Sequence, residues 1–481
     1  MKRNLFLRIA CLLLSVLLLL TACAGSTGDG TKTDGPDDVP DHGDGLRYQA
    51  AWTKDAIIYE VNVRQYTPEG TFNAFAGHLQ EIRDLGVNTL WFMPIHPISV
   101  TKRSGTLGSY YSVTDYREVN PEFGTSDDFK ALVDQAHEMG FRVMLDWVAN
   151  HTGWDCSWIE EHPEWYTQDA SGNIISPEGF NWPDVADLNF DNAEMRAEMI
   201  ACMKYWVEEF DIDGFRCDHA TGVPVDFWEA ARVEIDSVKP VYMLAEDNTV
   251  LSLLNSAFDF NYNLALYDAL MGIARDSKKA NVIKYYIPEN YPDGTYTLNF
   301  LDNHDKNSYE HTIMEGFGKD AIPAMFTLIY TIPGVPLIYT GDEIGLDHYI
   351  AFMEKDTIDW DSSDVSYREL LAELAAIKTG EAALHNGNYG GPIEYADLGN
   401  NNIIAFSRVK YGSKVVCLFN LSKREQTVDI TGLFDGCDTV FLYGQGADTL
   451  VLEDSAVENA GLSGELTLQP WEFWVVGNAS A

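Results

Sequence analysis

The chain has 481 residues, with 32 Lys or Arg and 74 Asp or Glu, so its formal net charge at pH 7 is −42. A surface this acidic repels phosphate backbones and anionic lipids, which argues against nucleic acid as a partner and places no penalty on a neutral polymer. The length supports a large hydrophobic core, and the seven cysteines lack the CxxC spacing of a zinc site or a disulfide framework.

The first 22 residues have the features of a secretion signal. Basic residues flank the start of an apolar run at 9–20, which is too short and wrongly flanked for a membrane span. The letters LTAC at 20–23 resemble a bacterial lipobox, in which Cys23 is acylated and becomes the mature N-terminus. The alternative is an ordinary signal peptide with an incidental cysteine. Removing residues 1–22 deletes three positive charges and no negative one, which moves the formal charge from −42 to −45.

Residues 23–50 are rich in Gly, Asp, Thr, Ser and Pro and contain almost no apolar side chain. Such a segment cannot bury enough surface to offset its ordering entropy, so it is expected to be an acidic flexible tether. We therefore expect an exported protein, anchored to a bacterial membrane through lipidated Cys23, whose globular part lies outside the cytoplasm. The lipid anchor is the only membrane contact that the sequence predicts.

Beyond the tether, short apolar strands alternate with helical patterns. The first two predicted strands are 56–61 and 87–93, and a helical pattern at 75–85 lies between them. The pattern at 126–140 ends on a glycine, where a helix is expected to stop, and a strand at 141–148 follows at once.

The same alternation resumes after residue 190. Predicted strands lie around Phe215 and at 241–245, 257–260, 295–301 and 335–339, and predicted helices lie at 193–210, 225–235, after Asp320, and at 367–378. Eight strands, each followed by a helical region, predict an α/β fold with a parallel (β/α)8 TIM barrel at 51–384. A doubly wound open sheet is the alternative.

Two segments depart from this alternation. Residues 152–190, rich in Trp, Pro, Gly and Asp, follow the third strand and predict a small inserted subdomain. Residues 385–481 contain alternating strands such as KVVCLFN and ELTLQPWEFWVV, separated by turn residues without a helical pattern. They predict a C-terminal antiparallel β-sandwich.

Acidic and polar residues collect at four predicted strand ends. A single acid at such a position more often caps the next helix, and Arg216 beside Asp218, taken alone, fits a surface ion pair. In a barrel of this type, however, the chemistry lies at the C-terminal rim, so four polar ends that converge there predict an active site. The four ends read DWVANH (146–151), GFRCDH (214–219), LAED (244–247) and FLDNHD (300–305).

These four segments resemble the signature segments of the alpha-amylase family of glycoside hydrolases, in the family's order. Further resemblance is carried by GSYYSVTDY (108–116), ADLNF (186–190) and PGVPLIYTGDEIG (333–345), so that it extends over residues 52–478. It is closest to bacterial enzymes of the alpha-amylase and neopullulanase type. The resemblance implies retaining cleavage of α-1,4-glucosidic bonds in starch, maltodextrins or related α-glucans by double displacement.

The resemblance also implies roles for individual residues. Asp218 matches the nucleophile, Glu246 the general acid/base, and Asp305 a third carboxylate that holds hydroxyls of the sugar at the cleavage point. The other matches are the arginine beside the nucleophile, two histidines that contact the same sugar, and the aromatic platform under it: Arg216, His151, His304 and Tyr111.

The chemistry of glycosidic bond cleavage needs these residue types. The bond breaks through an oxocarbenium-like state, so one carboxylate attacks the anomeric carbon while a protonated carboxyl group donates to the leaving oxygen. Arg216 is expected to favour ionised Asp218, and the apolar strand before Glu246 is expected to raise the pKa of that acid. Retention predicts that these two carboxyl groups lie about 5 to 5.5 Å apart.

The match departs from the family after Asp218. Starch-cleaving members often carry a Lys-His pair there that contacts the sugar beyond the cleavage point, whereas this chain has Thr221 and Gly222. The chemistry requires no cofactor. Calcium is an open alternative, because Asn150 matches a calcium-binding residue of many members, although capping of the strand end by its side chain explains that residue equally well.

Several alternatives stay open. His219 follows the nucleophile in a strand pattern and is expected to point to the opposite face. The same fold also serves α-1,6 cleavage, action on cyclodextrin or pullulan, and α-glucan transglycosylation. A catalytically silent glycan-binding protein is a remote alternative, because all three carboxylates are present. Four tryptophans of the insertion either pack its core or stack on sugars: Trp154, Trp158, Trp165 and Trp182.

Overall fold

The structure is a computed structural model, which describes residues 51–478 except 289–290, 364, 447, 451–454 and 457–461. The predicted signal peptide at 1–22, Cys23 and the tether lie outside the described residues. Within the described part of the chain, no helix combines the length and the apolarity needed to cross a membrane.

Eight parallel strands close into a barrel, which confirms the predicted fold class. Each strand pairs with the next, and the last pairs with the first, Ile58 opposite Leu337. The sheet therefore has no edge, which excludes the open-sheet alternative. In chain order the strands are β1 (Ile58–Val61), β2 (Thr89–Phe92), β3 (Arg142–Trp147), β4 (Gly214–Cys217), β5 (Tyr242–Ala245), β6 (Phe260–Tyr262), β7 (Tyr296–Asn299) and β8 (Val335–Tyr339).

The helices around the barrel begin and end at residues suited to those positions. The helix Ser126–Glu138 begins after Thr125, which exchanges capping hydrogen bonds with Asp128. Gly140, with a φ of +83°, then turns the chain into β3. The other α-helices of the described part are Val63–Tyr66, Phe72–Ala76, Leu79–Asp84, Trp158–Glu161, Ala193–Phe210, Val225–Asp236, Leu253–Ser256, Leu264–Ala274, His304–Tyr309, Ile313–Phe317, Ile322–Thr331 and Arg368–Gly380.

One helix prediction is corrected. The pattern at 75–85 belongs to two helices, Phe72–Ala76 and Leu79–Asp84, instead of one. Between them, the N–H groups of Gly77 and His78 bond to carbonyls three residues back, which is the tight geometry that commonly ends an α-helix.

The insertion after β3 starts and ends in a two-stranded antiparallel sheet. His151–Gly153 pairs with Val185–Asp187, and His151 lies opposite Asp187. The two ends of the insertion are therefore neighbours, and the chain between them forms a loop on a narrow base.

The four tryptophans of the insertion divide between packing and the cleft. Trp165 is buried and packs edge-on against Trp158, with ring centroids 5.1 Å apart, so both contribute to the subdomain core. The Lys102 ammonium lies 3.2 Å from the ring centroid of Trp154. Trp182 lines the cleft described below.

The C-terminal region is an antiparallel β domain, as predicted. A larger sheet and a two-stranded sheet, Gln426–Asp429 with Glu465–Leu468, pack around a core that includes Leu418, Val440 and Val476. The strands of the larger sheet are Ile393–Ala396, Ile403–Lys410, Ser413–Asn420, Thr439–Gln445, Asp448–Leu450, Ser455–Ala456 and Phe473–Gly477.

Candidate active site

A cleft of about 650 Å³ opens where the predicted site residues meet. The three predicted catalytic carboxylates, Asp218, Glu246 and Asp305, all line it. Arg216 lies beneath them and is fully buried. The cleft is also lined by Tyr111, His151 and His304, so the structure brings all seven predicted residues of the sugar site together.

The two innermost carboxylates are placed by the ladder of the barrel. The Asp218 N–H donates to the carbonyl of Trp147 at the end of β3, and the Glu246 N–H donates to the carbonyl of Cys217 at the end of β4. The parallel pairing thus continues one residue beyond each strand. Asp218 and Glu246 consequently leave neighbouring strands at the same level of the rim.

Arg216 holds the acids from below. Its Nη1 donates to Asp146 Oδ1 and to Asp218 Oδ1, each at 2.9 Å. Its Nη2 lies 3.0 Å from Glu246 Oε2, an ion pair whose geometry falls short of a hydrogen bond. Its Nε donates to the Tyr262 hydroxyl at 3.2 Å. A buried guanidinium shared by three carboxylates excludes the surface ion pair that Arg216 and Asp218 alone would suggest.

The pKa values of the two acids are shifted in the same direction by different amounts. Burial raises the pKa of Asp218 to about 6, with Arg216 opposing the rise and Asp146 adding to it. Burial also raises the pKa of Glu246 to about 7, opposed by Arg216 and reinforced by Asp218. Arg216 thus favours ionised Asp218 as expected, but burial outweighs it. Glu246 keeps its proton to higher pH than Asp218 does.

Asp305 and His304 stand at the start of the helix that follows β7. Asn303 caps this helix by accepting from the Lys306 N–H. The Asp305 side chain is 44% exposed, far more than Asp218 at 13%, so it faces the open cleft. Its Oδ1 lies 3.5 Å from His304 Nε2.

Tyr111 lies flat in the cleft beside two other rings. Its ring centroid is 5.5 Å from that of His304 and 6.1 Å from that of Phe352, with interplanar angles of 24° and 8°. Its hydroxyl donates to Asp146 Oδ2 at 3.0 Å and lies 2.9 Å from His304 Nε2. The ring predicted as a platform is therefore fixed in orientation at its polar end.

His219 corrects a prediction. With a φ of +42° it leaves the strand alternation and takes a left-handed conformation, which turns its ring into the cleft instead of away from it. The ring packs edge-on against Phe180 at 4.9 Å and Trp182 at 5.5 Å. The backbone N–H of His219 donates to Glu246 Oε2 at 2.8 Å.

Gly222 is what allows His219 to take this place. A Cβ atom at position 222 would lie 2.3 Å from Cδ2 of the His219 ring and 2.4 Å from Asn150 Oδ1. Any side chain there would force the His219 ring or the Asn150 amide to move. Gly222, one of the two residues at which the sequence departs from the resemblance, thus leaves room for the ring of His219.

His151 is neutral, and Asn150 does not form part of a metal cluster. Burial lowers the pKa of His151 to about 3. The Asn150 amide nitrogen lies 3.2 Å from His151 Nδ1. Among the described residues no group of three or more His, Cys, Asp or Glu side chains is arranged to hold a metal ion. Calcium at Asn150 stays a prediction from the resemblance, and no step below uses it.

Some residues of the site were missed in the sequence. Asp146 lies within the segment DWVANH and faces the same side as Arg216, so strand alternation carried a signal for it. Glu60 was visible as an acid inside an apolar strand. Phe180 and Phe352 line the cleft from loops, for which no periodic pattern exists.

A second cavity of similar size, about 630 Å³, lies between the barrel and the C-terminal domain. Its polar lining includes Arg408, Lys410 and Asn388, but it contains no Asp, Glu or His side chain among the described residues. It therefore lacks the pair of carboxyl groups that cleavage of a glycosidic bond needs. The candidate active site is therefore the cleft at the barrel rim.

The comparisons with known proteins agree with this geometry. A family model described as "Alpha amylase, catalytic domain" matches residues 25–173 and 179–369. Alpha-amylase MalA of Haloarcula japonica is 26% identical over 453 residues, which cover 89% of this chain and 64% of the relative, so the chain spans less than two thirds of that protein. Alpha-amylase 3 of Dictyoglomus thermophilum is 27% identical over 464 residues, 82% of this chain and 90% of the relative.

Solved structures show the same similarity. An alpha-amylase from Lactobacillus plantarum superposes with a TM-score of 0.75 at 30% identity and covers 88% of this chain and 99% of that one. The noncanonic maltogenic alpha-amylase AmyB from Thermotoga neapolitana gives a TM-score of 0.76 at 27% identity, with coverages of 89% and 99%. The family model, the barrel and the cleft lead to one conclusion: this chain belongs to the alpha-amylase family of glycoside hydrolases.

Proposed function

We propose that the chain is a retaining glycosidase that cleaves α-1,4-glucosidic bonds of starch, maltodextrins or related α-glucans by double displacement. One observation carries the proposal: Asp218 and Glu246 arrive from neighbouring strands, share the buried Arg216, and differ in pKa in the order that a nucleophile and an acid require. Membership of the family and the names of its relatives support the substrate class.

The contacts suggest which atoms react. Arg216 occupies Oδ1 of Asp218, so we assign Oδ2 to the attack on the anomeric carbon. Both Arg216 and the His219 N–H contact Oε2 of Glu246, so we assign Oε1 to the proton transfer. Glu246 donates its proton to the glycosidic oxygen as the glycosyl–Asp218 bond forms. In the second step Glu246 takes a proton from water, whose oxygen displaces Asp218.

The two pKa values predict a narrow bell-shaped pH profile. Below about pH 6 Asp218 gains a proton and stops acting as a nucleophile, and above about pH 7 Glu246 loses the proton that it must donate. We expect kcat/KM for a maltooligosaccharide to fall on both sides of this window, with apparent values that belong to the coupled pair. A profile that stays flat from pH 5 to about pH 9 would contradict the assignment.

Product analysis tests the function itself. Soluble starch, pullulan, cyclodextrin and isomaltose are incubated with the wild-type protein, and the anomer of the first product is read by proton NMR before mutarotation. Release of α-anomers from starch or maltodextrin supports retaining α-1,4 cleavage. Failure of the wild type to cleave any of the four would refute the proposal and favour the silent glycan-binding alternative, while preference for isomaltose would shift it to α-1,6 bonds.

A second candidate function is α-glucan transglycosylation, and the aromatic wall of the insertion favours it. The rings of Phe180 and Trp182 stack with centroids 4.3 Å apart and an angle of 14°, and Phe180 is 47% exposed. Both rings contact His219, whose backbone N–H donates to Glu246. The aromatic wall formed by Phe180 and Trp182 therefore lies on the side of the proton donor. A sugar that stacks there would compete with water for the glycosyl–Asp218 intermediate.

Phe180→Ala is expected to lower the ratio of transfer to hydrolysis by roughly 5- to 10-fold, the equivalent of about 1 kcal/mol for one lost aromatic contact. The ratio is measured by chromatography of products from maltotriose at high concentration. Tyr285→Ala is the matched control, because Tyr285 is 73% exposed but lines a different cavity. An unchanged ratio of transfer to hydrolysis in Phe180→Ala would show that the aromatic wall does not bind the acceptor sugar.

We also propose that the protein is exported and anchored to a bacterial membrane through a lipidated Cys23. Support comes from the sequence alone: the apolar run at 9–20, the LTAC segment and the polar tether. Mass spectrometry of the mature N-terminus tests it. An acylated Cys23 supports the anchor, and a mature chain that begins elsewhere refutes it.

A further inference from the structure

Glu60 is a buried acid at the centre of β1, between Tyr59 and Val61. Its side chain is 0% exposed, its Oε1 lies 2.5 Å from His304 Nδ1, and its Oε2 has no hydrogen-bond partner among the described residues. Burying an ionised carboxylate costs several kcal/mol unless a partner of opposite charge is present. The ring of His304 is the group in position to provide it.

The Nε2 nitrogen of His304 carries a proton, because the Tyr111 hydroxyl beside it is already used as a donor. Tyr111 has one hydroxyl proton, and it donates that proton to Asp146 Oδ2 at 3.0 Å. The oxygen of the same hydroxyl lies 2.9 Å from His304 Nε2, so there it can only accept. Nε2 must therefore be the donor, and Asp305 Oδ1, 3.5 Å away, is a second acceptor for it.

Both ring nitrogens thus face oxygen acceptors, and a carboxylate lies close to each side of the ring. We propose that Glu60 is a positioning residue that keeps His304 doubly protonated, as an imidazolium, and so fixes the direction of a hydrogen-bond chain that runs from His304 through Tyr111 to Asp146. From Asp146 the chain continues to Arg216 and then to Asp218, at 2.9 Å for each bond. Glu60 would act on the reaction through this chain, without contact to the sugar.

The surrounding charges support an imidazolium. Burial alone would lower the pKa of His304, but the carboxylates of Asp305 and Glu60 outweigh burial and raise it to about 9, against the opposing charge of Arg216. The edge contact with Trp91 and the stacked ring of Phe352 add no charge.

Two other buried acids, Asp302 and Asp342, lie near Glu60. Burial raises the pKa of Asp302 and Asp342 well above the usual range, and the charge of Glu60 adds to both shifts. Among the described residues, Arg216 is the cation whose charge opposes protonation of the His304 ring, and it is hydrogen-bonded to Asp146.

Glu60→Gln is the test, because glutamine keeps the shape and removes the charge. Its amide oxygen can still accept from Nδ1, but a neutral ring then has no proton on Nε2. The Tyr111 hydroxyl then turns to donate to Nε2 and abandons Asp146. The amide NH2 can also donate to Nδ1, which keeps the proton on Nε2, so the direction of the chain is no longer fixed. NMR of ¹⁵N-labelled histidine in the full-length protein, assigned with His304→Gln, reads the protonation of both nitrogens directly.

The expected results follow from the charge. In the wild type both nitrogens of His304 are protonated at pH 7, and the ring titrates near pH 9. In Glu60→Gln the titration falls by roughly 1–3 units, and kcat/KM falls on the order of 100-fold because the chain from His304 to Asp146 no longer has one fixed direction. A ring that is singly protonated at pH 7 in the wild type would overturn the proposal.

Glu343→Gln is the matched control. Glu343 is also 0% exposed, but it accepts from the Tyr59 hydroxyl and the Gly341 N–H instead of pairing with His304. It should lower stability without moving the titration of His304. Equal shifts in Glu60→Gln and Glu343→Gln would overturn the proposal, because a general loss of buried charge would then explain both. The NMR result is readable even if the protein cleaves no glucan, so failure of the proposed function and failure of this inference are distinguishable.

Discussion

Asp218→Asn and Glu246→Gln are each expected to lower kcat/KM for a maltooligosaccharide by about 10⁴-fold, which corresponds to about 5.5 kcal/mol of lost transition-state stabilisation. An amide at position 218 cannot attack the anomeric carbon, and an amide at position 246 cannot give up a proton of useful acidity. The loss is measured by steady-state kinetics, and thermal unfolding confirms that each variant is folded.

A substrate with a good leaving group separates the two roles. In an aryl α-glucoside whose phenol has a low pKa, the phenolate leaves without being protonated. Glu246→Gln should therefore form the glycosyl–enzyme at near wild-type rate, seen as a pre-steady-state burst. Asp218→Asn should show no burst with the same substrate. Asp247→Asn is the control, because the Asp247 carboxylate accepts hydrogen bonds from the N–H groups of Thr249 and Val250. This variant should keep most of its activity. A burst from Asp218→Asn would contradict the nucleophile assignment.

Arg216→Met is expected to abolish activity and to destabilise the protein by about 3–5 kcal/mol at neutral pH, because it leaves buried carboxylates without their cation. Arg216 lowers the pKa of Asp146, Asp218 and Glu246, so its removal raises all three above their present values of about 6, 6 and 7. Protonated acids cannot supply the nucleophile at neutral pH.

The pH dependence of this destabilisation has a definite sign. In the variant the folded state binds protons that the unfolded state, with carboxyl pKa values near about 4, has already released. Stability therefore falls as pH rises from about 4 through the raised values, and the deficit against wild type shrinks as pH falls towards about 4. Urea unfolding at pH 7.5 and at pH 5, conditions that differ by about 2.5 units, measures it.

Arg232→Met is the control for the loss of a buried arginine. Arg232 is 3% exposed and pairs with Asp236 at 2.6 Å and Asp259 at 3.0 Å, outside the cleft. It should lose stability to a similar extent while its pH–activity profile keeps the wild-type shape. Wild-type activity in Arg216→Met would show that the acids of the cleft do not depend on a shared cation.

The barrel and the principal acids were predictable because their signals are local. Seven of the eight barrel strands lie within predicted segments, and β3, for example, falls inside 141–148. The exception is β6, which was predicted at 257–260 and begins only at Phe260. The parallel strands of a closed barrel all end at one rim, so strand-end acids such as Asp218 and Glu246 could be assigned to a common site from the sequence.

Other features depend on contacts that no local pattern encodes. Glu60 and His304 are 244 positions apart, so an acid in an apolar strand was visible but its partner was not. The orientation of His219 depends on one left-handed residue, which breaks the alternation that a strand pattern assumes. The place of Phe180 in the cleft follows from the path of a loop, which periodicity does not describe.

The pairing of His151 with Asp187 brings the two ends of the insertion together. A segment of different length or composition could replace the residues between these two strands if it kept their antiparallel pairing. The strands that carry Asp218 and Glu246 would not need to change. Phe180 and Trp182 would be exchanged with it, as one cassette. Acceptor preference and bond-breaking chemistry would then be inherited separately. We expect natural and evolved variants to diverge first on the side of the cleft formed by Phe180 and Trp182.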